Sequence, residues 1–294
     1  MSRKNHPVWI LVERVRGKIP AVCFELIGHA RKLADELGAP VEAVLLGNDV
    51  SDHVDDLFAS GADTVHLGDA PEFSTYQSEV FSKTIVSLIR EETPQILLIG
   101  STFMGRELAP LLAAKLETGL TAHCIDLALN KDHILVQRIP AYGGIMSITC
   151  PEKKPQIATV AQGVFSKPDF DYERSGEIFQ VIPPERIKLR VKTLETVFQE
   201  PEGVLLESAP LVVAGGAGAG DIEGWHEIEA LAELLNAGLG STRPAVDEGW
   251  IGLETMIGQS GKMVNPEFYI GIGLSGEQQH MVGISGAKVM VAIN

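Results

Sequence analysis

Between Val8 and Leu116 the sequence switches four times from a short apolar run to a segment whose apolar residues recur every three or four positions. The runs are Val8–Val12, Val41–Leu46, Thr64–Leu67 and Ile96–Ile99. The periodic segments are Ala21–Leu37, Val54–Ser60, Tyr76–Glu91 (apolar at Val80, Ile85, Leu88 and Ile89) and Arg106–Leu116. A strand that regains its sheet in parallel needs a covering crossover, and that crossover is right-handed. The alternation therefore predicts an α/β fold with a mainly parallel sheet flanked by helices. Gly38 stands where a left-handed residue ends the first helix.

From Ala128 to Val164 the pattern becomes short, β-rich pieces (HILVQRIP, IMSITC, PQIATV) broken by Gly143-Gly144 and Pro151. They read as strands completing or edging the same sheet. Lys167–Pro184 is irregular and polar, and Ile187–Phe198 alternates as a strand does. The sequence thus predicts a first domain over residues 1–198 and a linker over 199–208 containing Glu-Pro-Glu-Gly. A second α/β domain follows over 209–294. That domain opens on Leu211–Ala214 and the turn GGAGAG. A helix from about Trp225 to Asn236 presents Ile228, Leu231, Leu234 and Leu235, and Glu267–Leu274 and Lys288–Ile293 read as buried parallel strands.

The formal charge of −15 argues against a nucleic-acid surface, which concentrates lysine and arginine. No run approaches the ~18 apolar residues of a membrane span. The amino terminus passes directly into a strand-like run without a secretory signal pattern. The three cysteines, Cys23, Cys124 and Cys150, form no Cys-x-x-Cys pair, which disfavours disulfide scaffolds, zinc ribbons and iron–sulfur clusters. A cytoplasmic, reducing setting fits best. His29, His53, His66, His123, His133 and His226 are dispersed and read mostly as solvated, with no metal set among them.

Polar residues that invite a ligand cluster near the carboxy end. The glycine turn fails the G-x-G-x-x-G fingerprint because Asp221 stands where the last glycine belongs, so it reads as a tight strand-to-helix turn. Arg243 is either a surface arginine in a loop or a cation beside an electron-rich ring, and the adjacent Thr242 and Pro244 favour the second reading. In GQSGK, Gly258 and Gly261 let backbone approach a ligand while Gln259 and Ser260 offer donors and acceptors. Ser275-Gly276 lies between a strand and a predicted helix start, a favourable place for a pyrophosphate. Gln279 and His280 follow, and a protonated imidazole there could neutralise an anionic ring.

Together, GRELAPLLAAKLETGLTAHC, PAYGG, PQIATVAQGVF, STRPAVDEGW, IGQSGK, NPEFYIGIGLSGEQQH and VMVAIN resemble the α subunit of electron transfer flavoproteins over nearly the whole chain. The resemblance implies a Rossmann-like first domain and a flavodoxin-like, FAD-binding second domain. It implies a heterodimer with a β subunit that carries electrons between flavin dehydrogenases, acyl-CoA dehydrogenases among them, and an acceptor. It places Arg243 by the isoalloxazine, favouring reduced, anionic flavin. Ser260 would bond the redox-active ring nitrogen, and Thr242, Ile257, Gly258 and Gln259 would line the ring pocket. His280 would face the pyrimidine carbonyl. Ser275, Gly276, Glu277, Gln278 and Gln279 would follow the ribityl chain and pyrophosphate, with Asn294 at the adenosine half.

Arg-Pro and Gln-Ser in these loops resemble the bifurcating branch, which implies a second FAD in the β subunit, NADH as donor and ferredoxin or flavodoxin as acceptor. Two positions depart from the family pattern. Ala217 stands where a flavin-contacting arginine is usual. Family chains also continue past VMVAIN, so the second domain is expected to lack their last strand and helix. The alternative is a flavin-free or nucleotide-binding partner subunit of the same fold, and an enzyme acting alone on a small substrate is a third reading.

Overall fold

A computed structural model describes residues 6–141, 144–184, 189–191, 193–197 and 204–294. The chain divides into two compact units, Met1–Thr196 and Val197–Asn294.

The first unit runs β1 (Val8–Val12), α1 (Ala21–Leu37), β2 (Val41–Gly47), α2 (Val54–Ala59), β3 (Thr64–Asp69), α3 (Ser78–Glu92), β4 (Ile96–Gly100) and α4 (Phe103–Leu116). The β-rich remainder is β5 (Leu120–Cys124), β6 (Asp126–Leu129), β7 (Leu135–Ala141), β8 (Gly144–Thr149), β9 (Gln156–Val160) and β10 (Glu177–Gln180). Seven strands form a parallel sheet ordered β10-β3-β2-β1-β4-β9-β5. Every residue of β1, β2, β4 and β9 is buried, because helices cover both faces and each face packs its own apolar cluster. Gly38 ends α1 at φ 62°. The helix expected from Arg106 begins at Phe103, where Thr102 accepts a hydrogen bond from the Gly105 amide.

Three expectations are corrected here. β7 and β8 do not extend the main sheet but form a separate antiparallel sheet ordered β6-β7-β8, while β9 does join the main one. The polar stretch 167–184 contains the exposed edge strand β10 paired to β3. Residues 189–191 and 193–197 of the expected strand 187–198 carry no strand, and its other positions lie outside the described residues.

The histidine expectation is corrected as well. His66 is buried, 2.7 Å from the Glu42 carboxylate that also accepts from the Trp9 indole. His29 stacks on Phe165 and His123 lies 3.0 Å from the Ser101 hydroxyl, whereas His133 and His226 are exposed.

The second unit runs β11 (Leu211–Gly215), α5 (Ile222–Leu234), β12 (Gly238–Ser241), α6 (Arg243–Asp247), β13 (Phe268–Ile272), α7 (Gln278–Met281) and β14 (Val289–Ile293). Its sheet is parallel, ordered β12-β11-β13-β14. α5 starts at Ile222, capped by Asp221, whose carboxylate accepts from the Gly224 amide. It buries Trp225, Ile228 and Ala232, whereas Leu234 and Leu235 of the expected apolar face are exposed. Leu206 and Ala209 pack into the core with Val212 and Tyr269. β14, expected to be buried, is exposed at every residue, because only β13 flanks it among the described residues. No helix among the described residues is long and apolar enough to cross a membrane.

Candidate functional site

In open parallel sheets, ligands lie beyond the carboxyl ends of the strands. In the second unit, four segments leave those ends. The turn 216–220 follows β11, Thr242 and Arg243 follow β12, residues 273–277 follow β13, and Asn294 follows β14.

The crevice between β11 and β13, where the strand order reverses, is closed by backbone. Gly216 and Gly218 donate to the carbonyls of Ile272 and Gly273 at 3.0 Å each. A Cβ on Gly218 would stand 2.6 Å from the Gly273 Cα. The glycine turn is thus a tight strand-to-helix connection, as its failed fingerprint predicts, and a ligand must lie above it or to one side.

On the β12 side the site is open. The Ile257 amide donates to the Ser241 carbonyl at 2.9 Å, so Met256 bridges in parallel to the last residue of β12. The turn 256–262 closes on itself, with Gly258 and Lys262 donating to the Lys262 and Met256 carbonyls at 3.1 and 2.7 Å. Lys262 also pairs with Glu207 at 2.9 Å. Residues 275–280 return from β13 to this turn, where the Gln259 amide donates to the Gln279 carbonyl at 2.7 Å. Gly258 is required at φ 139°, since a Cβ there would lie 2.5 Å from that same carbonyl oxygen.

The structure therefore brings Thr242, Arg243, Ile257, Gly258, Gln259, Ser260 and Ser275 to His280 to one end of the sheet. Asn294 stands three strand spacings from Thr242, about 14 Å at the usual ~4.8 Å per strand. A ligand using both must be long and lie across the strand ends.

Arg243 opens the short helix α6 rather than sitting in a loop. Its side chain is 69% exposed and touches Asp247 only at 3.4 Å through Nε, which leaves the terminal nitrogens of the fork available. Thr242 occupies the cap position without capping, so its hydroxyl is unspent. Gln259, Ser260, Ser275, Glu277, Gln278 and Gln279 are exposed, and Ile257 and Gly258 are buried beneath them. The helix after Ser275-Gly276 is a single turn, too short for an appreciable macrodipole, which leaves exposed amides to favour a pyrophosphate.

His280 departs from its expected orientation. It is buried, with Nδ1 3.1 Å from the Ile257 carbonyl and Nε2 2.6 Å from the Tyr269 hydroxyl. Burial lowers its pKa, opposed by the bond to Ile257. Neither nitrogen is turned outward to a ligand. Tyr269 and the Lys262–Glu207 pair were not legible in the sequence, because nothing in FYIGIGL or SGK signals which distant atom each side chain reaches.

The arrangement fits FAD. Unengaged hydroxyls and amides and the Arg243 guanidinium border a glycine-lined edge, and that equipment suits holding and tuning a redox cofactor. The electron transfer flavoprotein domain model matches residues 8–185, and the electron transfer flavoprotein FAD-binding domain model matches residues 205–285, which takes in the segments just described except Asn294. The chain belongs to the electron transfer flavoprotein α-subunit family. It is 40% identical to electron transfer flavoprotein subunit alpha of Thermoanaerobacterium thermosaccharolyticum over 98% of this chain and 88% of that protein. It is 33% identical to acryloyl-CoA reductase electron transfer subunit beta of Anaerotignum propionicum, over 98% and 87%. It is 34% identical to lactate dehydrogenase (NAD(+),ferredoxin) subunit LctC of Acetobacterium woodii, over 98% and 69%. As a member of this family the chain is an FAD-binding electron-transfer subunit that works with a β subunit.

Proposed function

We propose that Thr242, Arg243, Ile257, Gly258, Gln259 and Ser260 surround the isoalloxazine of FAD. Ser275, Gly276, Glu277, Gln278 and Gln279 follow its ribityl chain and pyrophosphate, and Asn294 reaches the adenosine half. His280 supports the ring pocket from behind. FAD supplies the electron-accepting ring, while the chain's own residues orient it and set its charge balance. The Arg243 fork favours the negatively charged reduced ring, and the Ser260 hydroxyl can donate to a ring nitrogen. One observation carries this reading: polar side chains from three segments converge at one end of the sheet without hydrogen-bond partners among the described residues, Arg243's long contact to Asp247 aside.

The partner of the heterodimer is a flavin-dependent dehydrogenase acting on an acyl-CoA or a hydroxy acid, which links the chain to pathways such as fatty acid β-oxidation. NADH and ferredoxin or flavodoxin complete a bifurcating system with a second FAD in the β subunit. The names of the acryloyl-CoA reductase and lactate dehydrogenase relatives support this reading. Co-purification with the β subunit tests it. Two FAD per heterodimer are expected, and one FAD would reduce the role to simple carriage. A colourless heterodimer after FAD reconstitution would contradict the site itself.

A further inference from the structure

Residues 204–209, expected to end a linker, are built into the second unit beside the turn 256–262. The chain makes a single 3₁₀ turn over Leu206–Ser208 and buries Leu206 and Ala209 in one apolar cluster with Ile257 and Val264. Val204 packs against the same cluster. β12 makes room for both segments. Its Gly238 and Gly240 are two residues apart and so share one face of the strand. A Cβ on Gly238 would stand 2.8 Å from the Ala209 Cβ, and one on Gly240 would stand 2.4 Å from the Ile257 Cδ1. The bare face of β12 therefore seats residues 206–209 and the root of the turn 256–262 side by side.

Few side chains hold the rest of that turn. Gly258 and Gly261 have none, and Gln259 and Ser260 are exposed. Its closing residue is Lys262, whose amide donates to the Met256 carbonyl at 2.7 Å and whose carbonyl accepts from the Gly258 amide at 3.1 Å. The Lys262 ammonium lies 2.9 Å from the Glu207 carboxylate, the two side chains being 31% and 38% exposed. A pair that accessible adds little to global stability. Here, however, it joins the last residue of the turn to the segment that shares its seat.

We propose that Glu207 is a positioning residue of the flavin site: by holding Lys262 it keeps the turn 256–262 seated beside residues 204–209, and so fixes where Gln259 and Ser260 stand. This rests on the reading that the turn binds FAD. It follows that the segment entering the second unit and the turn that presents Gln259 and Ser260 form one piece.

The test compares the wild-type heterodimer with Glu207→Gln, Lys262→Gln, the two together, and the charge exchange Glu207→Lys with Lys262→Glu. FAD dissociation constants, melting temperatures and hydrogen–deuterium exchange of residues 257–262 are read for each. Either single substitution weakens FAD about two- to fivefold and speeds exchange across the turn, with the melting temperature nearly unchanged. The double neutralisation is no worse than one substitution, because the second removes an interaction already lost. The charge exchange recovers affinity and protection. At about 1 M salt the difference between wild type and Glu207→Gln shrinks, since an accessible pair is screened.

Single substitutions that leave affinity and exchange as in the wild type overturn the proposal. So do effects that add in the double variant, or a charge exchange that restores neither reading. Affinity lost in step with a lower melting temperature, with exchange across the turn unchanged, makes the pair a fold support and overturns it as well. If Lys262→Gln does not fold, Glu207→Gln and its salt dependence decide. If no protein binds FAD while exchange rises in the single variants and recovers in the charge exchange, the flavin reading fails and the tether stands.

Discussion

The two parallel sheets of this chain share an architecture, yet their carboxyl ends are finished in opposite ways. In the first unit, the ends of β1 and β4, where strand order reverses, close on themselves. Buried Glu13 receives the Thr102 hydroxyl at 2.6 and 2.7 Å, and Thr102 in turn accepts from the Gly105 amide at 3.0 Å. The Glu13 amide points at the Cys23 sulfur, and the His123 Nδ1 lies 3.0 Å from the Ser101 hydroxyl while the His123 amide donates to Thr159, which leaves the buried Nε2 of that ring without a partner among the described residues. In the second unit, Thr242, Gln259, Ser260 and Ser275 leave comparable groups unspent. Hydrogen bonds completed within the chain make a scaffold, and those left open invite a ligand. The same fold can do either, because the choice lies in the loops.

The largest expected effect breaks the closed part of the second sheet. Gly273 has φ 63°, and a Cβ there would lie 2.6 Å from the Gly218 carbonyl carbon. Gly273→Ala is expected to cost about 3 kcal/mol through combined strain and steric overlap, measured by urea denaturation.

Next is the buried carboxyl of the first sheet. Burial pushes the Glu13 pKa up to about 7 from 4.5, with the Thr102 hydrogen bond opposing. The folded chain then holds a proton that the unfolded chain releases, so stability falls as pH rises from about 4.5 to 7 and stays lower above that. Glu13→Gln keeps an acceptor for Thr102 and is expected to flatten this profile, gaining about 2 kcal/mol above pH 7. Denaturation midpoints against pH check it, and FAD affinity should be unchanged.

Arg243→Ala should do the reverse. It leaves stability nearly unchanged and lowers the flavin midpoint potential, by loss of about 1.5–2 kcal/mol of charge-assisted bonding to the reduced ring. Redox titration reads this directly.

The finest comparison pairs two hydroxyl deletions. Thr102→Ala removes a helix cap and costs about 1 kcal/mol of stability without touching flavin. Ser260→Ala weakens FAD by a similar free energy without moving the melting temperature.

How much of this was legible in the sequence follows from the range of the forces involved. The four βα units of the first domain were written in local periodicity, and Gly38 in backbone sterics. Strand partners were not: β7 and β9 both look β-rich, but only long-range packing sends one to a separate antiparallel sheet. β10 was hidden because an exposed edge strand needs no apolar alternation. In the site, the segments carrying Arg243, Ser260 and Ser275 announced themselves through glycines and clustered polar residues. The inward turn of His280 depends on Tyr269 and on the carbonyl of Ile257, 11 and 23 residues away. No local pattern encodes that contact, which buries a ring that its sequence position suggested would face outward.

Hydrogen–deuterium exchange of the heterodimer with and without FAD tests the contrast between the two sheets most directly. Binding should slow exchange at residues 242–243, 257–260 and 275–280 and leave residues 13–14 and 101–106 as they were. Protection at the ends of β1 and β4, with none around Arg243 and Ser260, would contradict the account.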